Sequence, residues 1–154
     1  MRITTAEAIV RYLIAQRVLM EPTPGASPIE APLFPGVFAI FGHGNVTCLS
    51  EALEAVQDQL PTWRGQNEQS MAHAAIAYAK QLGRRRAMAV TSSIGPGALN
   101  MVTAAALAHV NRLPVLFIPG DVFANRGPDP VLQQIEDFGD ATVSANDCFR
   151  PVSR

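Results

Sequence analysis

Charge is what this chain has least of. Only 16% of its 154 residues are Asp, Glu, Lys or Arg, while 48% are hydrophobic; soluble domains usually carry about a quarter charged residues. So little charge predicts that another chain or domain covers part of the surface. The net charge of −1 excludes the basic footprint of a nucleic-acid binder. Cysteine is nearly absent. Cys48 and Cys148 form neither a disulfide framework nor a metal site, so a reducing cytoplasm is the expected compartment. No apolar run approaches membrane length and no signal peptide opens the chain, so no membrane partner is expected. The three histidines, His43, His73 and His109, show no metal-ligand spacing.

What is present is an alternation of helical and strand-like segments. Thr4-Thr5-Ala6-Glu7 reads as a capping box, and Ala8, Ile9, Tyr12, Leu13 and Gln16 predict a helix running to about Met20. Prolines 22, 24, 28, 32 and 35 exclude helix and central strand, so residues 21–36 are expected as a surface loop. Val37–Phe41, Ala87–Thr91 and Pro114–Ile118 are short, continuous apolar runs, the mark of strands buried on both faces. Helices are expected over 49–59, from Glu68 to Gly83, and along Ala98, Met101, Val102, Ala105 and Ala108; the segment around Trp63 is loop or strand. After Asp121 the periodicity fades, leaving an irregular 122–154 with a short helix at 131–135 and no closing element. The pattern is α/β: a three-layer α/β/α domain over residues 1–154 with a mostly parallel sheet. In such sheets ligands sit beyond the carboxyl ends of the strands, here the glycine loops 42–45, 92–97 and 120–121.

One acid stands out. Met71, Ala72, Ala75, Ala79 and Leu82 follow Glu68 at helical spacing and share its face. A carboxylate on a buried stripe is costly unless paired or protonated. Two readings stand: an N-terminal acid complementing the helix dipole, or a functional carboxyl group. Other chemistries fit poorly. Gly42-His43-Gly44 and Gly95-Pro96-Gly97 each match only the first two glycines of a dinucleotide fingerprint, and Pro96 removes an N–H. No Gly-Lys-Ser or Gly-Lys-Thr exists for a phosphate loop. A nucleophile elbow at Ser93 lacks its glycine, because Thr91 occupies that place.

Gly65-Gln66-Asn67-Glu68-Gln69 with its alanine-rich helix, Thr91-Ser92-Ser93-Ile94-Gly95-Pro96-Gly97-Ala98-Leu99-Asn100, Leu113-Pro114-Val115 and Pro119-Gly120-Asp121 together resemble the thiamine diphosphate enzymes. The likeness is to the N-terminal, pyrimidine-binding domain of the acetolactate synthase and pyruvate oxidase group, and it covers nearly all of the chain from Thr4. Within that group the chain is most similar to the ring-opening cyclic-dione hydrolases of inositol catabolism. Phe41-Gly42-His43-Gly44-Asn45, Asn67 where synthases usually have His, the extra Ile94, and the stretch from Asn146 to Arg154 carry that narrower likeness. The proline-laden stretch 21–35 is a departure, and it lies before the first strand.

The resemblance implies thiamine diphosphate as cofactor and Glu68 as the catalytic carboxyl group on N1′ of its aminopyrimidine. It implies His43, Gly44, Ser93, Pro96, Gly97 and Asn100 as further cofactor-binding positions, and no metal ligand in this chain. Mg²⁺ would be held by a C-terminal domain through Gly-Asp-Gly and a downstream Asn-Asn; here Gly120-Asp121 is followed by Val122. The implied partners are a small polyol-derived dione, the chain's own central and diphosphate-binding domains, and further copies in a homodimer or homotetramer. A 2-oxoacid enzyme resembling acetolactate synthase, or a binding module without catalysis, are the alternatives.

Overall fold

Thr4 starts the first helix as its residue types predict: its hydroxyl accepts the Glu7 N–H while Glu7 reaches back to the Thr4 N–H. The computed structural model describes residues 2–122, 131–137, 139–140 and 142–154. Helix α1 spans Thr5–Ala15, not to Met20. Gln16 is already extended, and Arg17–Met20 (β1) pairs antiparallel with Ile29–Pro32 (β2). The expected loop 21–36 is therefore half of a hairpin. Pro32 is tolerated because β2 is an edge strand, and Arg17 pairs with Glu30 at 2.8 Å across the ladder.

The main sheet is parallel, in the order β4-β3-β5-β6, with β3 at Val37–Ala39, β4 at Thr62–Arg64, β5 at Met88–Thr91 and β6 at Val115–Ile118. Trp63 thus belongs to a strand, its ring 5.8 Å from that of Phe38. Between the strands lie α2 (Gly42–Asn45), α3 (Leu49–Glu54), α4 (Glu68–Gln81), α5 (Pro96–Leu99) and α6 (Val102–Asn111). Helix α3 stops short of Gln59 because bonds of shorter reach, Val56 N–H to Leu53 and Gln59 N–H to Val56, tighten the chain into turns that bury Leu60. The single helix expected from Ala98 divides at Asn100-Met101, where the Met101 N–H bonds the Ala98 carbonyl at 3.0 Å.

Successive residues of β5 face opposite sides of the sheet. Met88 and Val90 pack with α4, α6 and Phe149, while Ala87 and Ala89 pack with Val10, Leu13 and Leu53 of α1 and α3. The result is three layers, helices on both faces of a parallel sheet.

Past β6, residues 131–135 form a turn rather than a helix, since Gln133 takes a left-handed φ of 67°. The chain does have a closing element. Ala145–Val152 is a 3-10 helix capped reciprocally by Ser144 and Asp147, and it seats Phe149 in the core, 6.1 Å from Phe117. Cys48 and Cys148 are free and exposed. Among the described residues no helix is long and apolar enough to cross a membrane.

Candidate functional site

Parallel strands deliver their carboxyl ends to one edge of the sheet, and the glycine loops gather there. Helix α2 follows β3, Ser92–Gly95 and α5 follow β5, and Pro119-Gly120-Asp121 follows β6. They converge on one atom: the Ser92 carbonyl accepts from Asn45 Nδ2 at 3.1 Å and from the Gly120 N–H at 3.2 Å. The buried Thr91 hydroxyl donates to the Ile118 carbonyl at 2.9 Å, fastening the ends of β5 and β6. Ser92 and Ser93 are themselves buried.

Glu68 reaches this junction from α4. Asn67 is the helix cap, its side-chain oxygen accepting the Ser70 N–H at 3.0 Å, which makes Glu68 the first helical residue. Met71, Ala72, Ala75 and Ala79 on its stripe are buried as their spacing predicts, and Glu68 itself is partly buried. Its Oε2 accepts from Asn100 Nδ2 at 2.8 Å. Gly97 lies alongside. A Cβ there would stand 3.4 Å from Glu68 Oε1 and 3.2 Å from the Ser93 Cβ, so glycine keeps the space beside Oε1 clear. Among the described residues Oε1 carries no hydrogen bond.

Four of the predicted positions, Glu68, Ser93, Gly97 and Asn100, come together here. Pro96 opens α5 at the exposed rim. His43 and Gly44 stand exposed on α2; a Cβ on Gly44 would meet only Ile94 Cγ2, at 3.8 Å, so this pair borders the Ser92–Gly97 loop rather than Glu68. The polar groups already have tasks: the Asn100 amide holds Glu68, and the Ser93 hydroxyl donates to Gln133 Oε1 at 2.8 Å. Gln133 was not among the predicted site positions: the helix expected over 131–135 gives no sign that its side chain would reach Ser93. Asn45 likewise serves the loop junction.

The basic cluster after α4 is spent on structure. Arg84 donates to the Asn111 carbonyl and Arg85 to the Leu82 carbonyl, while Arg86 donates to the Pro32 carbonyl at 2.7 Å and lies over the Tyr78 ring. His109 lines a separate groove of about 590 Å³ between α6, β6 and the 3-10 helix, with Phe117, Asn146 and Phe149. Among the described residues no group of three or more His, Cys, Asp or Glu side chains is placed to hold a metal ion.

The family model described as the thiamine pyrophosphate enzyme N-terminal TPP-binding domain matches residues 35–140. The chain belongs to that family. The match runs from the start of β3 past all three glycine loops, and so includes Glu68, Gly97 and Asn100. Over 153 residues the chain is 53% identical to the 3D-(3,5/4)-trihydroxycyclohexane-1,2-dione hydrolase of Geobacillus thermodenitrificans (strain NG80-2), covering 99% of this chain and 23% of that protein. Proteins of the same name from Bacillus cereus (strain AH820) and Bacillus thuringiensis (strain Al Hakam) are 51% and 50% identical over the same shares. The chain thus spans about a quarter of the length of these curated relatives.

The residues present fit the family's cofactor. A flat aminopyrimidine needs a carboxyl oxygen free to bond a ring nitrogen and backbone without side chains to lie against. Glu68 Oε1 and the bare backbone at Gly97, 3.4 Å from it to a would-be Cβ, supply both.

Proposed function

We propose that this chain is the aminopyrimidine-binding part of a thiamine diphosphate-dependent hydrolase of C–C bonds. Its reaction is the opening of trihydroxycyclohexane-1,2-dione to 5-deoxyglucuronate in myo-inositol catabolism. The observation that carries the reading is the Glu68–Asn100 pair beside Gly97; the identity of 50–53% to hydrolases bearing that substrate's name supports the choice of reaction.

When bound, thiamine diphosphate supplies a nucleophilic thiazolium carbon once that carbon has lost its proton. The chain's own contribution is at N1′. Glu68 would hold a hydrogen bond there and would move a proton to and from that atom. Asn100 fixes the orientation of the carboxyl group through Oε2 and leaves Oε1 for the ring. Gly97 keeps a side chain away from the carboxyl group, and the buried Ser92–Gly95 segment excludes water on that side.

The diphosphate and Mg²⁺ belong, in this reading, to a further domain of the same enzyme. Two features support a larger assembly: the low charge content and the apolar groove left along β6. The enzyme is proposed to be cytoplasmic and to work as a homodimer or homotetramer.

The test is turnover by the full-length protein carrying this chain, supplied with thiamine diphosphate and Mg²⁺. It should consume the cyclic dione without releasing carbon dioxide and act little on pyruvate. Rapid conversion of pyruvate to acetolactate would make the 2-oxoacid reading correct instead.

A further inference from the structure

Gln133 is an odd residue in an odd place. It is one of the non-glycine residues with a left-handed backbone, φ 67°, a conformation that persists where its surroundings over-determine it. Its surroundings are the Ser92–Gly97 loop. Its side-chain Oε1 accepts the hydroxyl of the buried Ser93 at 2.8 Å. Its main-chain carbonyl sits over Gly95, which has φ 53°, so closely that a Cβ at Gly95 would run into the Gln133 oxygen; Ile135 Cγ2 would lie 3.6 Å from the same Cβ. Side chain and backbone therefore grip the loop two residues apart.

That loop leads straight into the candidate site. Gly95 is the N-cap of α5, the short helix that carries Gly97, and Asn100 follows as its C-cap. The Ser93 Cβ is 3.2 Å from where a Gly97 Cβ would stand. A shift of Ser93 or Gly95 is thus passed directly to the two groups that flank Glu68.

We propose that Gln133 is a positioning residue for the Glu68 site, clamping the Ser92–Gly97 loop so that Gly97 and Asn100 keep their places beside the carboxyl group. For its consequence in catalysis this rests on the cofactor reading above; the clamp itself does not.

The experiment uses the full-length protein and the variants Gln133→Leu, Gln133→Glu, Ser93→Ala and the double variant Gln133→Leu/Ser93→Ala. Hydrogen exchange of the 92–100 segment, measured without cofactor, reads the clamp alone. Calorimetric titration with thiamine diphosphate in Mg²⁺ buffer reads its consequence. Gln133→Leu should speed exchange in that segment about tenfold and weaken cofactor binding by about the same factor, since a lost hydrogen bond of 0.5–1.5 kcal/mol corresponds to a few-fold to tenfold. Gln133→Glu keeps an acceptor for Ser93 and should restore both readouts to within about twofold. The double variant should be no worse than the worse single variant, because both remove one bond. Wild-type exchange in Gln133→Leu, or single effects that multiply in the double variant, would overturn the clamp. Faster exchange with unaltered affinity would overturn the positioning role. A wild-type protein that binds no thiamine diphosphate, with exchange still responding to Gln133→Leu, would refute the cofactor reading and the catalytic consequence while leaving the clamp in place.

Discussion

Strands β5 and β6 are neighbours of equal length, paired residue for residue from Met88 with Val115 to Thr91 with Ile118, yet they live in different surroundings. All four residues of β5 are buried, and all four of β6 are only partly so. Strand β5 has a partner strand on each side and helices over both faces, whereas β6 has β5 on one side and the open groove on the other. The difference locates the rigidity of the site. The loop that carries Ser93, Gly97 and Asn100 leaves the most enclosed strand of the sheet, so its buried start, Ser92–Gly95, is set by packing. The loop after β6 is held chiefly by what it reaches back to: the Ser92 carbonyl, the Ser144 hydroxyl on Asp121, and the Asn146 amide on the Gly120 carbonyl.

The comparison can be broken with one substitution made twice. Val90→Ala, at 0% exposure, should cost about 2 kcal/mol, the transfer of two methyl-sized groups plus a cavity term. Val115→Ala should cost about half as much in the 154-residue chain, by urea unfolding. In the full-length protein the two costs should converge if further chain covers β6. Equal costs in the short chain would mean that β6 is as enclosed as β5.

A smaller effect sharpens the link between the strands. Thr91→Val removes the buried hydroxyl that bonds the Ile118 carbonyl at nearly constant volume. It should cost about 1 kcal/mol, read as a lower urea midpoint at unchanged slope.

The smallest effect lies on the β5 side, at Tyr78 of α4. Burial raises its phenol above the ordinary tyrosine range, and the Arg86 guanidinium partly opposes this. A raised folded value favours the neutral phenol, so the contribution is present below the unfolded value of about 10 and is lost as pH rises past it. Thermal midpoints should therefore fall more steeply above about pH 10 in the parent than in Tyr78→Phe.

Much of this was legible in the residues. Continuous apolar runs mark buried parallel strands because neither face meets water, and β3, β5 and β6 were found that way. Glu68 stood out because a charge on a helix's buried stripe requires a reason. The misses have physical causes. The β1–β2 hairpin was hidden because local proline content argues against strands, whereas an edge strand leaves N–H groups unused and can carry Pro32. The 3-10 helix at Ala145–Val152 was hidden by Pro151 and by its short period, although Ser144 and Asp147 held the signature of its cap. Gln133 could not have been found, because its role comes from a contact 40 residues distant in sequence and from a backbone angle that no side chain announces.

The central claim is that Glu68 works on the cofactor's N1′ atom and thereby on the proton at C2. The most direct measurement is the rate at which the C2 proton of thiamine diphosphate bound to the full-length protein exchanges with deuterium, followed by acid quench and NMR, in wild type and in Glu68→Gln. The account predicts a slowing of about two orders of magnitude or more, the usual scale for losing a positioned acid–base group, with the fold and cofactor occupancy retained. An exchange rate in Glu68→Gln equal to wild type, with the cofactor bound, would contradict it.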